Sequence, residues 1–470
     1  MAAPNCLRCL LRPSPAMAIP RRLAPVTIST APFSSSAATL YASKPASSSM
    51  SKHIRAGKKM KLGKFKKKKN IDRGKPPAPG ERKAFRKRIL LSNNNALSVP
   101  GLGELSADAM LDPTKTGRVL AIPNELVDQL RAVEAFKPSQ CWGLFRQPSI
   151  LVRAETTDLA KRMQDSARKQ ETLRLVITGE KLAGKSTLLL QSMAYGYLNG
   201  WIVFNIPEAQ ELTTACTEYA PIPGTDPVQY SQQSYALKMM QALRKSNERV
   251  LSSLKTVHSH PNLVQHFPVG TSLLQLANGA KEADNAWPVF NAVWQELTVQ
   301  GHGRPPILFA LDGLAHVMKI SAYRSPAFEL IHSHDLAVVR RFVDCLSGAA
   351  PLPNGGAAIA ATSRGNAPRT PSMELALAQR EAERDGTEPP RREPFSRGYD
   401  DRVDAALATV QVLRLSSVAK AEARAIMEYW AASGLLRTAV DEPTVSEKWT
   451  MGGNGILGEM ERAALRTMRL

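Results

Sequence analysis

The residues from Gly179 to Thr187 have types and a spacing that suit the binding of a phosphate chain. Glycines at both ends of a short loop let backbone N–H groups turn inward around an anion, and the Lys185 ammonium can bridge two phosphates. The hydroxyl of Ser186 can hold Mg²⁺. The pattern therefore predicts a P-loop, with the phosphate-binding residues Gly179, Glu180, Lys181, Leu182, Ala183, Gly184, Lys185, Ser186 and Thr187.

A P-loop works with a second element, an apolar strand that ends in an aspartate beside the Mg²⁺ ion. Residues 307–311 are apolar and Asp312 follows them directly, so we predict that Ser186 and Asp312 are the magnesium ligands. The alternative is an ordinary buried strand that ends in an acid, which parallel sheets often contain. Thr362 ends another apolar stretch, and we predict that it contacts the γ-phosphate of a bound nucleotide.

The residue after Asp312 bears on catalysis. ATPases of this class usually have a glutamate there to polarise the attacking water, whereas this chain has Gly313. The sequence identifies no other carboxylate that could act as the catalytic base, and no arginine that could act as an arginine finger. We therefore expect weak or no hydrolysis of the nucleotide. The N/TKxD motif that reads guanine is also missing, and the motif residues leave the identity of the base open.

These residues need a strand before the loop, a helix after it and a sheet to hold both. The segments around them predict an α/β fold with a five-stranded parallel sheet, flanked by helices and followed by a small C-terminal helical lid. The predicted strands are 173–178, 201–207, 307–311, 357–362 and 410–415. The predicted helices are 122–136, 156–170, 228–256, 285–300, 335–347 with Asp335 as its N-cap, 419–434 and 454–468. Residues 91–118 are predicted as a linker and 370–398 as a surface loop.

Charge is distributed unevenly along the 470 residues. The formal net charge is +21, and residues 1–88 hold 22 lysines and arginines against two acids, Asp72 and Glu81. A near-neutral body with a cationic leader is typical of a chain that crosses a membrane potential or meets a polyanion. Five scattered cysteines do not make a disulfide framework, and no apolar run reaches the roughly 18 residues that predict a membrane span.

The cationic leader has two parts with different compositions. Residues 1–50 are rich in serine, carry arginines and lack acids, which predicts a mitochondrial transit peptide; an unprocessed disordered tail is the alternative. Residues 52–88 contain 17 lysines and arginines, and we expect them to be disordered until they bind the phosphates of a nucleic acid. Phe65 and Phe85 could stack on its bases. A nuclear-localisation signal and a merely solvating tail are the alternatives.

Two His-Ser-His triplets, at 258–260 and 332–334, could be taken for metal ligands. Alternate residues of a helix face opposite ways and no third ligand lies nearby in the sequence. We therefore expect surface or core histidines.

The motifs together resemble a known family, the mitochondrial small-subunit ribosomal proteins also called death-associated protein three, in its fungal form. The resemblance covers about residues 115–470. It is carried by IPNELVDQLRAVEAFKPSQCWGLFR (122–146), GEKLAGKST (179–187), WIVFNIP (201–207), ILFALDG (307–313), SAYR (321–324), HSHDL (332–336) and EYWAASG (428–434).

The resemblance implies an AAA+-like P-loop NTPase fold that binds a guanine nucleotide, GTP or GDP rather than ATP, with Mg²⁺. It also implies a place in the head of the small mitoribosomal subunit, in contact with small-subunit rRNA, neighbouring ribosomal proteins and, through intersubunit bridges, the large subunit. The basic stretch 52–88 is not among the shared motifs, so its RNA role is inferred from charge alone.

The sequence thus predicts four regions and two competing functions. The regions are a transit peptide (1–50), a basic disordered extension with a linker (51–118), a P-loop nucleotide-binding domain (119–415) and a helical lid (416–470). The first function is a structural protein of the mitochondrial ribosome that binds a guanine nucleotide and rRNA. The alternative is an active mitochondrial AAA+-type NTPase that acts on nucleic acid.

Overall fold

The computed structural model describes residues 89–363, 365, 367–395 and 398–466. The predicted transit peptide and the basic segment 52–88 lie outside the described residues. Among the described helices, none is long and apolar enough to cross a membrane.

A parallel sheet forms the central layer. The strands are β1 (Val119–Ala121), β2 (Ser149–Leu151), β3 (Thr172–Gly179), β4 (Ile202–Ile206), β5 (Ala220–Ile222), β6 (Gln229–Ser231), β7 (Ile307–Asp312), β8 (Ile320–Arg324), β9 (Leu330–His332), β10 (Gly356–Ala361) and β11 (Gln411–Leu415). Five of them make one parallel sheet in the order β11, β3, β10, β7, β4, which confirms the predicted sheet. The pairs β1–β2, β5–β6 and β8–β9 are antiparallel.

Helices cover both faces of this sheet. They are α1 (Ala107–Leu111), α2 (Asn124–Ala132), α3 (Ala154–Lys169), α4 (Lys185–Leu198), α5 (Ala209–Thr213), α6 (Gln233–Ser246), α7 (Glu248–Ser253), α8 (Leu273–Asn278), α9 (Ala283–Leu297), α10 (Ala337–Ser347), α11 (Pro371–Asp385), α12 (Asp401–Leu407), α13 (Lys420–Ala432), α14 (Glu442–Met451) and α15 (Leu457–Glu461). A π-helical turn, Arg462–Arg466, follows α15.

The central strands β7 and β10 are buried along their whole length, as strands covered on both faces must be. On one face, Phe309 of β7 packs against Phe204 and Phe342. On the other, Ile177 and Leu189 belong to a second apolar layer, which includes residues of α3 and α4. A third, smaller apolar cluster joins β2 to the C-terminal helices. The sheet therefore holds the ends of β3, β7 and β10 in fixed positions.

The helix predicted over 228–256 is wrong in its extent. The chain forms β6 first and then two helices, α6 and α7, with Asn247 between them. Asn247 is buried, and its amide exchanges hydrogen bonds with Val203, at 3.0 Å from Val203 N to Oδ1 and 3.2 Å from Nδ2 to Val203 O. Because β4 is an edge strand of the sheet, this side chain satisfies backbone groups that no neighbouring strand reaches.

Two predictions in the second half of the chain are wrong as well. The stretch 370–398, predicted as a surface loop, contains α11, which starts at Pro371, where the missing N–H of proline costs nothing. Asp335 is not the N-cap of α10, because that helix begins at Ala337 and Leu336 precedes it. Its carboxylate instead pairs with Arg402 at 3.1 Å, a contact between segments far apart in the sequence.

Both ends of the described chain are more structured than expected. The predicted linker 91–118 contributes to the core, since Leu91, Leu105 and Met110 are buried, and it contains α1. At the other end, the helix predicted over 454–468 is α15 followed by the π-helical turn, and the sequence gives no clear signal for α14 before it.

Neither histidine triplet lies on an α-helix, because residues 258–260 are irregular and residues 332–334 run from the end of β9 into a 3-10 turn, so the argument from α-helical spacing does not apply. His258 and His260 follow α7 in an irregular segment, and both rings contact the same oxygen, Oε1 of the buried Glu296, at 3.2 and 3.1 Å. His332 and His334 pack edge to face with ring centroids 4.4 Å apart. Within the described residues no group of three or more His, Cys, Asp or Glu side chains could hold a metal ion.

Candidate nucleotide-binding site

The glycine-framed loop (residues 179–187) joins the end of β3 to the start of α4. Gly179 has φ 141°, and a Cβ at that position would lie 2.7 Å from the carbonyl oxygen of Leu415 on β11, so only glycine fits there. Leu182 and Gly184 also have positive φ, 63° and 105°. This backbone turns the chain into the amino end of α4, where the first N–H groups of a helix and its dipole favour an anion.

Lys185 is folded onto the loop itself. Its side chain is buried, with the residue 6% exposed, and Nζ donates hydrogen bonds to the carbonyl oxygens of Gly179 at 3.0 Å and Glu180 at 2.6 Å. The ammonium is therefore held by the two carbonyl oxygens at the start of the loop. The cradle and its cation fit a polyphosphate.

The other predicted site residues gather at the same edge of the sheet. β10 pairs with both β3 and β7, and its last residue, Ala361, is in register with Ile177 and with Asp312. The next residue, Thr362, therefore lies at the edge of the sheet between the end of β3 and Asp312. The Thr362 hydroxyl donates to the carbonyl oxygen of Ile177 at 3.1 Å. Its contact with a γ-phosphate stays a prediction.

Sequence reasoning missed a cation at this edge. Nζ of Lys137, from the segment between α2 and β2, lies 3.1 Å from Oδ2 of Asp312, with both side chains mostly buried. Lys137 also donates to the carbonyl oxygen of Pro207, just after β4. Nothing in the local sequence marks Lys137, because its role arises from a contact with strands far along the chain.

The pair of Asp312 and Lys137 bears on the predicted magnesium site. A serine hydroxyl and a carboxylate are hard oxygen donors that suit Mg²⁺, which keeps several waters and takes only one or two protein ligands beside phosphates. Ser186 and Asp312 have that chemistry. Lys137, however, already supplies a positive charge to Oδ2, so it would compete with the ion for the same carboxylate.

Replacing Lys137 by methionine is expected to lower the free energy of unfolding by roughly 1–3 kcal/mol, because the mostly buried Asp312 carboxylate loses its cation. Urea unfolding would measure the loss. Mg²⁺ should restore more stability to this variant than to the wild type. Lys161→Met, on an exposed position of α3, is the control and should change little. A Lys137→Met protein as stable as the wild type would contradict the proposed role of the pair.

A cavity of about 120 Å³ adjoins the loop. It lies between the loop, the segment around β2 and the C-terminal helices. Its lining residues are Val119, Gln140, Cys141, Trp142, Phe145, Ser149, Ile150, Leu151, Arg153, Ala183, Gly184, Thr187, Leu188, Gln191, Leu415, Ile426, Tyr429, Trp430, Leu457 and Glu461. The sequence did not predict this cavity, since its walls come from five separate parts of the chain.

Two contacts fix the loop to its surroundings. The Arg153 guanidinium, which is almost fully buried, donates to the carbonyl oxygens of Ala183 at 3.2 Å and Ser416 at 2.7 Å. On the other side, the N–H of Gly458 in α15 donates to the carbonyl oxygen of Leu182 at 3.0 Å. The C-terminal helix α15 is therefore attached directly to the loop.

Comparison with known proteins relates this chain to a family of ribosomal proteins. Residues 150–463 match the family described as "Mitochondrial ribosomal death-associated protein 3". The small ribosomal subunit protein mS29 of Neurospora crassa is 56% identical over 471 residues, with 100% of each chain covered. The family match includes the glycine-framed loop, Asp312 and α15, whereas Lys137 lies before it.

Proposed function

This chain belongs to the death-associated protein 3 family of mitochondrial ribosomal proteins, and from that premise we propose that it binds a guanine nucleotide as part of its folded structure. It is a mitochondrial protein and a structural protein of the small subunit of the mitochondrial ribosome. Within the subunit, we propose contacts with small-subunit rRNA, with neighbouring ribosomal proteins and, through intersubunit bridges, with the large subunit.

The observation that carries the nucleotide proposal is the pairing of the loop with the cavity. The loop offers backbone N–H groups, a helix amino end and the Lys185 ammonium to a phosphate chain. The adjoining cavity has aromatic walls suited to a base. If the loop is the P-loop that the motif predicts, one nucleotide would put its phosphates at the loop and its base in the cavity.

We propose that Ser186 and Asp312 hold a magnesium ion together with the phosphates, where the ion would neutralise phosphate charge. Lys137 would compete with the ion, because its ammonium faces the same carboxylate. Thr362, at the end of the neighbouring strand, would contact the terminal phosphate.

The nucleotide is proposed to be a structural ligand and not a substrate that the protein hydrolyses. Gly313 has φ 90°, a conformation that a glutamate adopts only with strain, so the residue that would polarise water is excluded by the backbone as well as by the sequence. A ligand that binds only the folded state stabilises that state by mass action. GTP or GDP bound without turnover would therefore add to the stability of the fold.

The direct test is to denature the native protein by heat and identify the released small molecule by chromatography. We expect GTP or GDP, in about one copy per chain. Release of ATP or ADP alone would contradict the guanine assignment, and release of no nucleotide would contradict the proposal as a whole.

RNA binding by residues 52–88 has its own test. Deleting the segment should weaken binding to mitochondrial rRNA most at low salt. It should also flatten the plot of log affinity against log salt by about 0.7–0.9 for each phosphate that the segment neutralises. The control is a chain in which the order of residues 52–88 is scrambled, since charge alone should preserve the slope. An unchanged slope after deletion would refute the electrostatic interpretation.

A further inference from the structure

Lys137 joins the ends of two neighbouring strands beside the glycine-framed loop. β4 and β7 pair in parallel with Ile206 in register with Leu311, so Pro207 and Asp312 lie side by side where the two strands end. The Lys137 ammonium donates to the carbonyl oxygen of Pro207 and lies 3.1 Å from Oδ2 of Asp312. Two of the three N–H donors of this ammonium are therefore directed at these oxygens.

The segment that carries Lys137 also contacts the loop. The backbone N–H of Lys137 donates to Oε1 of Gln140 at 2.8 Å, and Nε2 of the same amide donates to Oγ1 of Thr187 at 3.3 Å. Oε1 of Gln140 also accepts from the indole N–H of Trp142 at 2.6 Å, which fixes the amide. Thr187 is the last residue of the loop and belongs to the first turn of α4. One side chain thus links the backbone of Lys137 to the helix end at which phosphates would bind.

The ion pair of Lys137 and Asp312 is shielded from solvent. The two side chains are 16% and 11% exposed, and charges in such a place interact more strongly than they do in water, because the surroundings screen them less. A carboxylate without a counter-charge at this edge of the sheet would repel a phosphate chain, since both are negative. With the ammonium beside it, the pair carries no net charge, and the repulsion is largely cancelled.

Magnesium performs the same neutralisation in P-loop proteins, where an aspartate at the end of a strand lies beside the ion. In this chain the aspartate already has a cation that belongs to the protein. A Mg²⁺ ion that enters must displace the ammonium from Oδ2 or share the carboxylate with it. Either outcome reduces the free energy that the ion contributes to nucleotide binding, because part of the attraction to Asp312 is already in use.

We propose that Lys137 is a built-in counter-cation for Asp312, which allows the site to bind GDP without magnesium. The inference rests on the proposed nucleotide function and adds to it the residue that sets the dependence on the metal ion. Magnesium becomes necessary only when the ammonium is removed, because the Asp312 carboxylate then faces the phosphates without a counter-charge. A lysine that only joined two strands would affect the stability of the fold and not this dependence.

The test is equilibrium binding of GDP to the purified full-length chain, with excess Mg²⁺ and with the ion removed by a chelator. The affinity of the wild type should change by less than about threefold between the two conditions. Lys137→Met should bind GDP roughly 10- to 100-fold more weakly in the chelator, and excess Mg²⁺ should return its affinity to within about threefold of the wild type. Lys137→Arg keeps the charge and should behave like the wild type.

A double variant separates the effect of charge from an effect on folding. Adding Asp312→Asn to Lys137→Met removes the carboxylate that lacks a counter-charge, so the double variant should regain most of the affinity that Lys137→Met loses in the chelator. A loss caused by damaged packing would instead persist or grow. Lys161→Met, on an exposed position of α3, is the matched control and should leave GDP binding unchanged under both conditions.

The outcomes distinguish this inference from the function on which it rests. A wild type whose affinity for GDP falls by about tenfold or more in the chelator would overturn the inference and leave the proposed function standing. The same dependence on magnesium in the wild type and in Lys137→Met would have that result too. A wild type that binds GDP under neither condition would overturn the proposed function and the inference with it.

Discussion

Replacing Lys185 by alanine is expected to lower the affinity for GTP or GDP by roughly 100-fold. The ammonium is folded onto the glycine-framed loop, where it donates to two carbonyl oxygens. When phosphates are bound it would bridge two of them, and charged hydrogen bonds of this kind contribute about 1.5–3 kcal/mol each. Titration calorimetry with GDP would measure the loss.

The same variant tests whether the nucleotide stabilises the fold. At a nucleotide concentration about 100 times the dissociation constant, a ligand of the folded state adds about 2.7 kcal/mol. A variant that binds about 100-fold more weakly gains only about 0.4 kcal/mol at that concentration. We therefore expect Lys185→Ala to melt earlier than the wild type when nucleotide is present, and to enter the small subunit less efficiently.

Lys181→Ala provides the matched control, since Lys181 belongs to the same loop and carries the same charge, but its predicted contact with phosphate is made by the backbone N–H and its side chain is exposed. Its affinity and melting should stay close to those of the wild type. A Lys185→Ala chain that assembles and melts like the wild type would disprove the structural role of the ligand. Turnover of many nucleotides per minute, abolished by Lys185→Ala, would instead favour the active NTPase.

The second large effect is expected at Glu296, on α9. Its carboxylate is fully buried and accepts hydrogen bonds from the backbone N–H groups of Val257 and His258, at 2.8 and 2.7 Å. The buried guanidinium of Arg304 lies 2.8 Å from Oε2. One carboxylate thus holds the segment after α7 against α9 while it neutralises a buried arginine.

Glu296→Gln should lower the free energy of unfolding by about 3–5 kcal/mol, because it leaves the Arg304 charge buried without a counter-charge. Chemical denaturation at neutral pH would measure the change. Glu428→Gln is the control, since it breaks an exposed pair with Arg424 on one helix, which contributes only about 0.3–0.5 kcal/mol. Equal losses in the two variants would contradict the assigned role of Glu296.

The dependence on pH follows from the same contacts. Burial alone would raise the pKa of Glu296, but the N–H groups of Val257 and His258, the His260 ring and Arg304 together lower the pKa below its ordinary value. A lowered pKa in the folded state gives stability that is complete above the unfolded pKa, about 4.3, and is lost as the pH falls through the folded pKa. The difference in stability between wild type and Glu296→Gln should shrink over that acid range.

Local sequence predicts those parts of the fold whose signals lie within a few neighbouring residues. The apolar strands, the strand, loop and helix order around Lys185 and the end of β7 at Asp312 follow from it, because period and composition are local properties. The prediction of a surface loop where α11 lies failed, since a charged and proline-rich composition outweighed the helical spacing. The single helix over 228–256 failed because Asn247 is used by the edge strand β4.

What the sequence determined by itself is the family, the glycine-framed loop and the order of the strands in the chain, since each depends on neighbouring residues. Only the tertiary structure decided the order of strands in the sheet, the contact of Lys137 with Asp312 and the cavity that adjoins the loop. These features join residues that lie far apart in the chain. Their physical cause is the packing of whole helices on a sheet, which no local pattern encodes.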